Sequence, residues 1–264
     1  MSPELHRHFL DYLPLWGLFL LTIGVCLLSE EAGFRFGLYW KRHHSGEGKI
    51  DIGTMLGATL GLWAFLLAFL VSMASTRYDE RRSLIVQEAN SIGTTYLRAG
   101  YLPEPYASKS RQLLRDYAAS RVTLNNVEGF KTAVNAASLI QPELWGLAQE
   151  MAQSSPSNPV YSIYITSLNE TIDLNTSRIA ALTTFRVPYT IYLSMYIVGF
   201  LALFMLGFQN SYSGKRNILV SIVLILVFST IMMLVIDLDR SWGGLIKVSQ
   251  QPMIDLINSF SGYR

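Results

Sequence analysis

Charged side chains crowd three short stretches of this 264-residue sequence. Arg77, Asp79, Glu80, Arg81 and Arg82 form the first, Arg186 marks the second, and Asp237, Asp239 and Arg240 form the third. Each stands at the end of a long apolar run. Acids and bases placed there should pair, because unpaired charge at a membrane surface is costly. Two chemistries fit. One is an ion-paired collar that fixes structure. The other is an ion-selecting ring formed when copies assemble, in which Asp79, Asp237 or Asp239 attracts cations. Upstream, Phe65, Phe69 and Met73 follow one another at four-residue spacing. Such a row curls around a helix by about 40° per step. Bulky apolar rings around an axis gate by dewetting, so these three are candidate pore or gate residues. The plainer alternative is packing inside the bundle or against lipid.

No catalytic constellation stands beside them, and no enzyme activity is expected. His6, His8, His43 and His44 lie in the N-terminal segment or a connection. Adjacent histidines diverge on a helix, and no cysteine or acid cluster supports them as metal ligands. There is no Gly-rich phosphate loop and no nucleophile elbow. Neither cofactor nor metal is expected. Cys26 is the single cysteine, so no intrachain disulfide forms. A net charge of +2 is too small to suggest nucleic acid as a partner.

The elements that position these residues follow from composition. Half of the residues are hydrophobic and 15% are charged, against about 25% charged in soluble domains. Four apolar runs emerge, at residues 12–28, 52–76, 187–214 and 217–236. The second has no charge between Asp51 and Arg77, enough to cross a roughly 30 Å apolar core as a helix. Lipid offers no partner to backbone polar groups, so these runs are helices. The N-terminal run has no small-residue cleavage site and does not read as a signal peptide.

Four spans put both termini and residues 77–186 on one side. That insert reads as helices. Ile85, Ala89, Ile92 and Tyr96 form an apolar face at steps of four, three and four. Gly100, Pro103 and Pro105 break that helix. A second helix is expected over residues 105–121, and a break at Asn125-Asn126. A third region, 127–153, is expected to split at Gln141-Pro142, since Pro suits a first turn. Asn158 and Pro159 open a last helix. Its seam is expected at Tyr161, Ile165, Leu168, Ile172, Ile179 and Leu182. Gly243 and Gly244 allow a sharp turn, after which an apolar tail folds back or lies at the interface. The expected divisions are 1–76 (two spans and a basic connecting loop), 77–186 (helical extramembrane domain), 187–236 (two spans) and 237–264 (tail).

Gly53, Gly57 and Gly61, followed by Ala64 and Ala68, put small residues along the second span. Small residues at this spacing let helices approach closely in lipid. The neighbour is either a helix of the same subunit, another subunit or a central axis. The Asn169 and Asn175 glycosylation-type patterns are read as structural. Six Lys/Arg lie in the connections and eight near the membrane on the other side. That contrast does not decide which face is cytoplasmic.

Two blocks, ASTRYDERRSLIVQEANSIGTTYLRAGYLPEPY (residues 74–106) and DLDRSWGGLIKVSQQPMIDL (residues 237–256), carry a family resemblance. Over nearly the whole chain, the sequence resembles a bestrophin-like family of bacterial membrane proteins, distant from true bestrophins. Bestrophins proper are pentameric ion channels with four membrane helices per subunit and an extramembrane helical domain. Their second membrane helix lines an apolar neck of bulky residues at four-residue spacing, and Phe65 and Phe69 match that neck in type and spacing. No calcium clasp motif is present, so calcium gating is not implied. The resemblance implies a cytoplasmic 77–186 domain; the density of positive charge in the connections points the other way. The expectation is an all-α membrane protein of the bacterial inner membrane, a homo-oligomer in the lipid bilayer, pentameric by this resemblance. It acts as a channel or pore for inorganic ions with the second membrane helix near the axis, or as a non-conducting scaffold or sensor whose domain binds a partner.

Overall fold

The computed structural model describes residues 13–43, 52–124, 126–213 and 216–262. They form helices α1 (Leu15–His43), α2 (Gly53–Ala99), α3 (Tyr106–Arg121), α4 (Val127–Ser154), α5 (Pro159–Thr183), α6 (Tyr189–Ser213), α7 (Ile218–Asp239) and α8 (Gln251–Ser259). No strand occurs among the described residues. The fold is all-α, and α1, α2, α6 and α7 are long and apolar enough to cross a membrane. The chain divides into two compact units. The first contains α1, the first half of α2, α6 and α7; the second contains the rest of α2, α3 to α5, and α8.

α1 does not stop where its apolar run ends. It continues through Glu30 and Glu31 to His43, over residues expected to form a loop. No Gly-Pro breaker intervenes. An i,i+4 ion pair, Arg35 Nε to Glu31 at 2.8 Å, supports the extension. The remainder of the expected basic loop, with Lys49 and Asp51, lies outside the described residues, as do Tyr12, His6, His8 and His44.

The membrane unit is held by apolar contacts among Leu18, Trp63, Leu67, Leu70, Leu203, Phe228 and Met232. Its outer faces expose Leu20, Leu193, Leu219 and Val223, which suits lipid. α1 and α6 meet almost backbone to backbone. A Cβ on Gly33 would lie 1.9 Å from the Phe204 carbonyl oxygen, and one on Gly207 would lie 2.0 Å from that of Glu30. Polar contacts lock this seam. The Ser29 hydroxyl donates to the Phe200 carbonyl at 2.6 Å, and Thr22 and Tyr196 hydroxyls lie 2.7 Å apart. The row Ser29, Gly33, Gly37 on α1, with Gly207 on α6, is therefore a tight small-residue contact among the described residues.

In the second unit, Ile85, Ala89, Ile92 and Tyr96 are buried, as their spacing predicts. The Asn126 side chain accepts from Gly129 N at 2.7 Å and opens α4. Asn158 accepts from Val160 N at 2.9 Å and opens α5, with Pro159 in its first turn. Asn125 lies outside the described residues.

Two expectations need correction. α4 is one helix with Pro142 inside it. Proline removes one backbone bond, but Phe130, Ala133, Ala137, Leu144, Ala148 and Met151 continue a single buried face through it. On α5 the buried residues are Tyr164, Ser167, Leu168, Thr171, Asn175, Arg178 and Ala181. Of the expected apolar seam Leu168 is buried, whereas Tyr161, Ile165, Ile172, Ile179 and Leu182 are only half-buried. Polar pairs between α5 and α2 (Thr171 with Ser91 and Thr95, Arg178 with Glu88) run beside the apolar core that Tyr164 and Leu168 share with Ile92 and Tyr96.

The C-terminal stretch joins this unit. Gly243 adopts φ +78°, a left-handed turn that suits glycine. The Ser241 hydroxyl donates to the Leu182 carbonyl at 2.7 Å, and Trp242 packs edge-on against Phe130, 5.2 Å between centroids. Met253 and Phe260 bring α8 into the core, with Phe260 4.3 Å from the Tyr96 ring.

Candidate functional site along α2

α2 carries two opposed stripes along its 47 residues. The buried stripe is Leu56, Trp63, Leu67, Leu70, Ala74, Arg81, Ile85, Glu88, Ile92, Thr95 and Ala99. These positions recur by threes, fours and sevens, one face of a helix. The opposite stripe is Phe65, Phe69, Ser72, Thr76, Asp79, Ser83, Gln87, Asn90 and Thr94, and every one is exposed. Phe65 is 69% exposed and Phe69 58%. Met73 lies off this stripe and is half-buried against the membrane core.

The small residues occupy the flank between the stripes. Gly53, Gly57, Gly61, Ala64 and Ala68 are all exposed. A Cβ on Gly57 or Gly61 would meet nothing within 4 Å. Ala64 and Ala68 instead line an apolar groove of about 450 Å³ between α2 and α7, with Leu60, Val71, Leu224 and Ile231.

The candidate collar divides by burial. Arg81, Asp237, Asp239 and Arg240 are buried, Arg77 and Arg186 half-buried, and Asp79 and Arg82 exposed. Asp239 accepts a hydrogen bond from Val187 N at 2.9 Å. Arg240 Nη2 donates to the Leu13 carbonyl at 2.6 Å. These two side chains hold backbone just ahead of α6 and α1.

Two polar clusters escape sequence reasoning. Glu88 is fully buried, with Arg121 Nε 2.8 Å from its Oε1 and Arg178 paired with its Oε2. The Tyr117 hydroxyl donates to Glu88 at 2.8 Å, and Arg178 Nη2 donates to Gln250 Oε1 at 2.5 Å. Burial pushes the Glu88 carboxyl up, but the charges of Arg121 and Arg178 and the hydrogen bonds from Arg178 and Tyr117 hold it below its ordinary value. Burial, with the Glu88 charge next in weight, raises the Tyr117 phenol. The same seam continues where Ser91 and Thr95 meet Thr171 at 2.9 and 3.0 Å. The signal was present: Arg81 and Glu88 fall on the stripe set by Ile85, Ile92 and Tyr96. In the membrane unit, buried Glu30 on α1 accepts from the Ser221 hydroxyl on α7, and the Asn210 amide on α6 lies 3.5 Å away. His43 Nδ1 is 2.9 Å from the Tyr39 carbonyl.

A family model for the Bestrophin-like domain matches residues 20–253, most of the chain. The chain belongs to the Bestrophin-like family. Solved structures agree with this fold. A bacterial bestrophin homolog from Klebsiella pneumoniae, solved as a point mutant, matches with TM-score 0.63 at 15% identity, over 92% of this chain and 96% of that one. A structure described as a membrane protein with a proline-to-alanine mutation matches with TM-score 0.66 at 13% identity, over 92% and 95%. Identities this low establish a shared fold. No curated protein matches. This Bestrophin-like chain is thus a multi-span helical membrane protein.

Proposed function

We propose that this protein is an oligomeric ion channel of the bacterial inner membrane, with α2 of each copy turned towards a central axis. The observation that carries this reading is the outward stripe of α2. Its apolar part bears Phe65 and Phe69, and its outer part bears Ser72, Thr76, Ser83, Gln87, Asn90 and Thr94, all exposed. Ser72 and Thr76 put hydroxyls on the exposed stripe at the end of the apolar run, where a purely lipid-facing surface needs none, and Ser83 to Thr94 carry the polar face on into the second unit. A water-filled passage uses such groups, because they replace part of an ion's hydration. The phenylalanines then form the narrow apolar ring that dewetting closes.

The small-residue flank supports the assembly. Gly57, Gly61, Ala64 and Ala68 leave room for a neighbouring helix to approach closely. A pentamer is the subunit number the bestrophin likeness favours. The same flank also serves the second reading, a non-conducting scaffold whose helical unit binds a partner. The two differ in what the phenylalanine stripe faces. Purified protein in planar bilayers separates them. Discrete currents that grow in Phe65→Ala and Phe69→Ala support the channel; silence in all three proteins supports the scaffold.

A further inference from the structure

We propose that the helical unit holds a monatomic anion of the halide class in its core, bound by the Arg121 guanidinium beside Glu88. The inference concerns the second unit alone and does not depend on what α2 faces in the membrane.

Charge carries the argument first. The side chains of Arg121 and Glu88 are 0% exposed and that of Arg178 is 3% exposed. Glu88 is the acid of this cluster, and the Tyr117 and Gln250 side chains that complete it are neutral. Guanidinium groups stay protonated in proteins. Two positive charges therefore meet one negative charge, out of reach of water. A net charge in such surroundings is unfavourable unless an ion of opposite sign joins it. The acids on the neighbouring helices do not help. Asp116 on α3 and Asp173 on α5 are exposed, and they accept from the Gln112 and Asn169 amides.

Hydrogen bonding singles out Arg121. Arg178 is satisfied, with Nη1 on Glu88 and Nη2 on Gln250 Oε1. Arg121 Nε stands 2.8 Å from Glu88 Oε1, but its buried Nη1 and Nη2 reach no acceptor among the described residues. Those two nitrogens carry four N–H groups. The Tyr117 ring, 5.5 Å from Cζ to its centroid, supports the cation through its face and leaves these donors unpaired. Arg121 also ends α3, whose last carbonyls supply about half a negative charge. None of them accepts from Nη1 or Nη2. The cluster stays net positive, and its free donors belong to one side chain.

The class of occupant follows. Water would pair with the N–H groups and leave the charge. A carboxylate or phosphate would bring several oxygens into a cluster whose side chains are sealed. A halide carries one negative charge, accepts from Nη1 and Nη2 together and needs the least room. Arg121 is the last residue of its helix, and local opening at helix ends is easy, which gives such an ion a way in. Binding there would tie α3 more firmly to α2 and α5, so the stability of the helical unit would follow halide concentration.

The test uses the full-length protein in detergent. Melting is compared in sodium chloride, sodium bromide and sodium gluconate at equal ionic strength, for the unmodified protein and Arg121→Met, and bromide is located by anomalous scattering in crystals of the unmodified protein. The melting temperature should be about 2–4 °C higher in about 100 mM halide than in gluconate. That difference should vanish in Arg121→Met, and a bromide peak should lie beside Nη1 and Nη2. Equal melting in halide and gluconate, an undiminished halide effect in Arg121→Met, or no bromide peak at Arg121 overturns the site. A peak there without halide-dependent melting is an adventitious ion only and overturns it as well. Should Arg121→Met fail to fold, the two measurements on the unmodified protein decide. None of these outcomes bears on conduction.

Discussion

Glu88 and Arg178, ninety positions apart in the chain, form an ion pair sealed from water between α2 and α5. Arg121 adds a second cation and Tyr117 a hydroxyl, so both carboxylate oxygens are engaged. The pair fixes the register of the two long helices and, through Gln250, ties in the chain that leads to α8.

Removing the carboxylate leaves two buried guanidinium groups uncompensated. Glu88→Gln should therefore cost about 3–5 kcal/mol of stability, read as a fall in melting temperature in detergent. A variant that melts like the unmodified protein would contradict the buried clamp.

The same cluster makes a signed pH prediction. The Glu88 carboxyl lies below its ordinary value of 4.5 in the folded protein. A lowered folded value means that its stabilisation is fully present above the unfolded value and is lost as pH falls through the folded one. The melting temperature should hold down to pH 4.5 and decline below it. Glu88→Gln should lack the part of that acid decline which belongs to the clamp. An equal acid decline in both proteins would assign it to other carboxylates.

Much of this fold can be read from residue spacing, and the failures share one cause. Long unbroken stretches such as α2 show themselves because neither Gly-Pro nor a charge interrupts them in the membrane. Asn126 and Asn158 reveal helix starts because a short polar side chain can reach a free N–H. Reasoning by apolarity fails where burial is polar. Glu30 looks like the end of a span and lies inside α1. Thr171, Asn175 and Arg178 look like a solvated face and form the buried seam of α5. Phe65 and Phe69 are legible as a row, but their direction is set by what α6 and α7 cover, and only coordinates supply that. Likewise, the small residues of α2 draw attention by number, whereas the close backbone contact within the subunit uses Ser29, Gly33 and Gly37.

That last contrast predicts opposite outcomes for two glycine changes. Gly33→Ala drives a methyl into the Phe204 carbonyl and should destabilise the folded subunit by about 1–3 kcal/mol or more. Gly57→Leu meets open space within the subunit. It should leave the helical content of the subunit intact and weaken assembly. Circular dichroism with size measurement in detergent distinguishes the two. An intact oligomer in Gly57→Leu would remove α2 from the subunit interface.

Asp239 gives a prediction separable from conduction. Its side chain satisfies Val187 N, which is buried. Asp239→Ala should cost about 1–3 kcal/mol by leaving that donor unmade, with ion preference unchanged. A shift in ion preference at full stability would return Asp239 to the list of ion-facing groups.

The placement of α2 is tested most directly by cysteine accessibility during current recording. In a Cys26→Ser background, Phe65→Cys, Phe69→Cys and Thr76→Cys are compared with Leu219→Cys, which lies on the exposed surface of α7. A water-soluble, thiol-specific charged reagent should alter current through the three α2 variants and leave the Leu219→Cys current unchanged. Conducting protein whose current ignores modification at positions 65, 69 and 76 would contradict an axial α2.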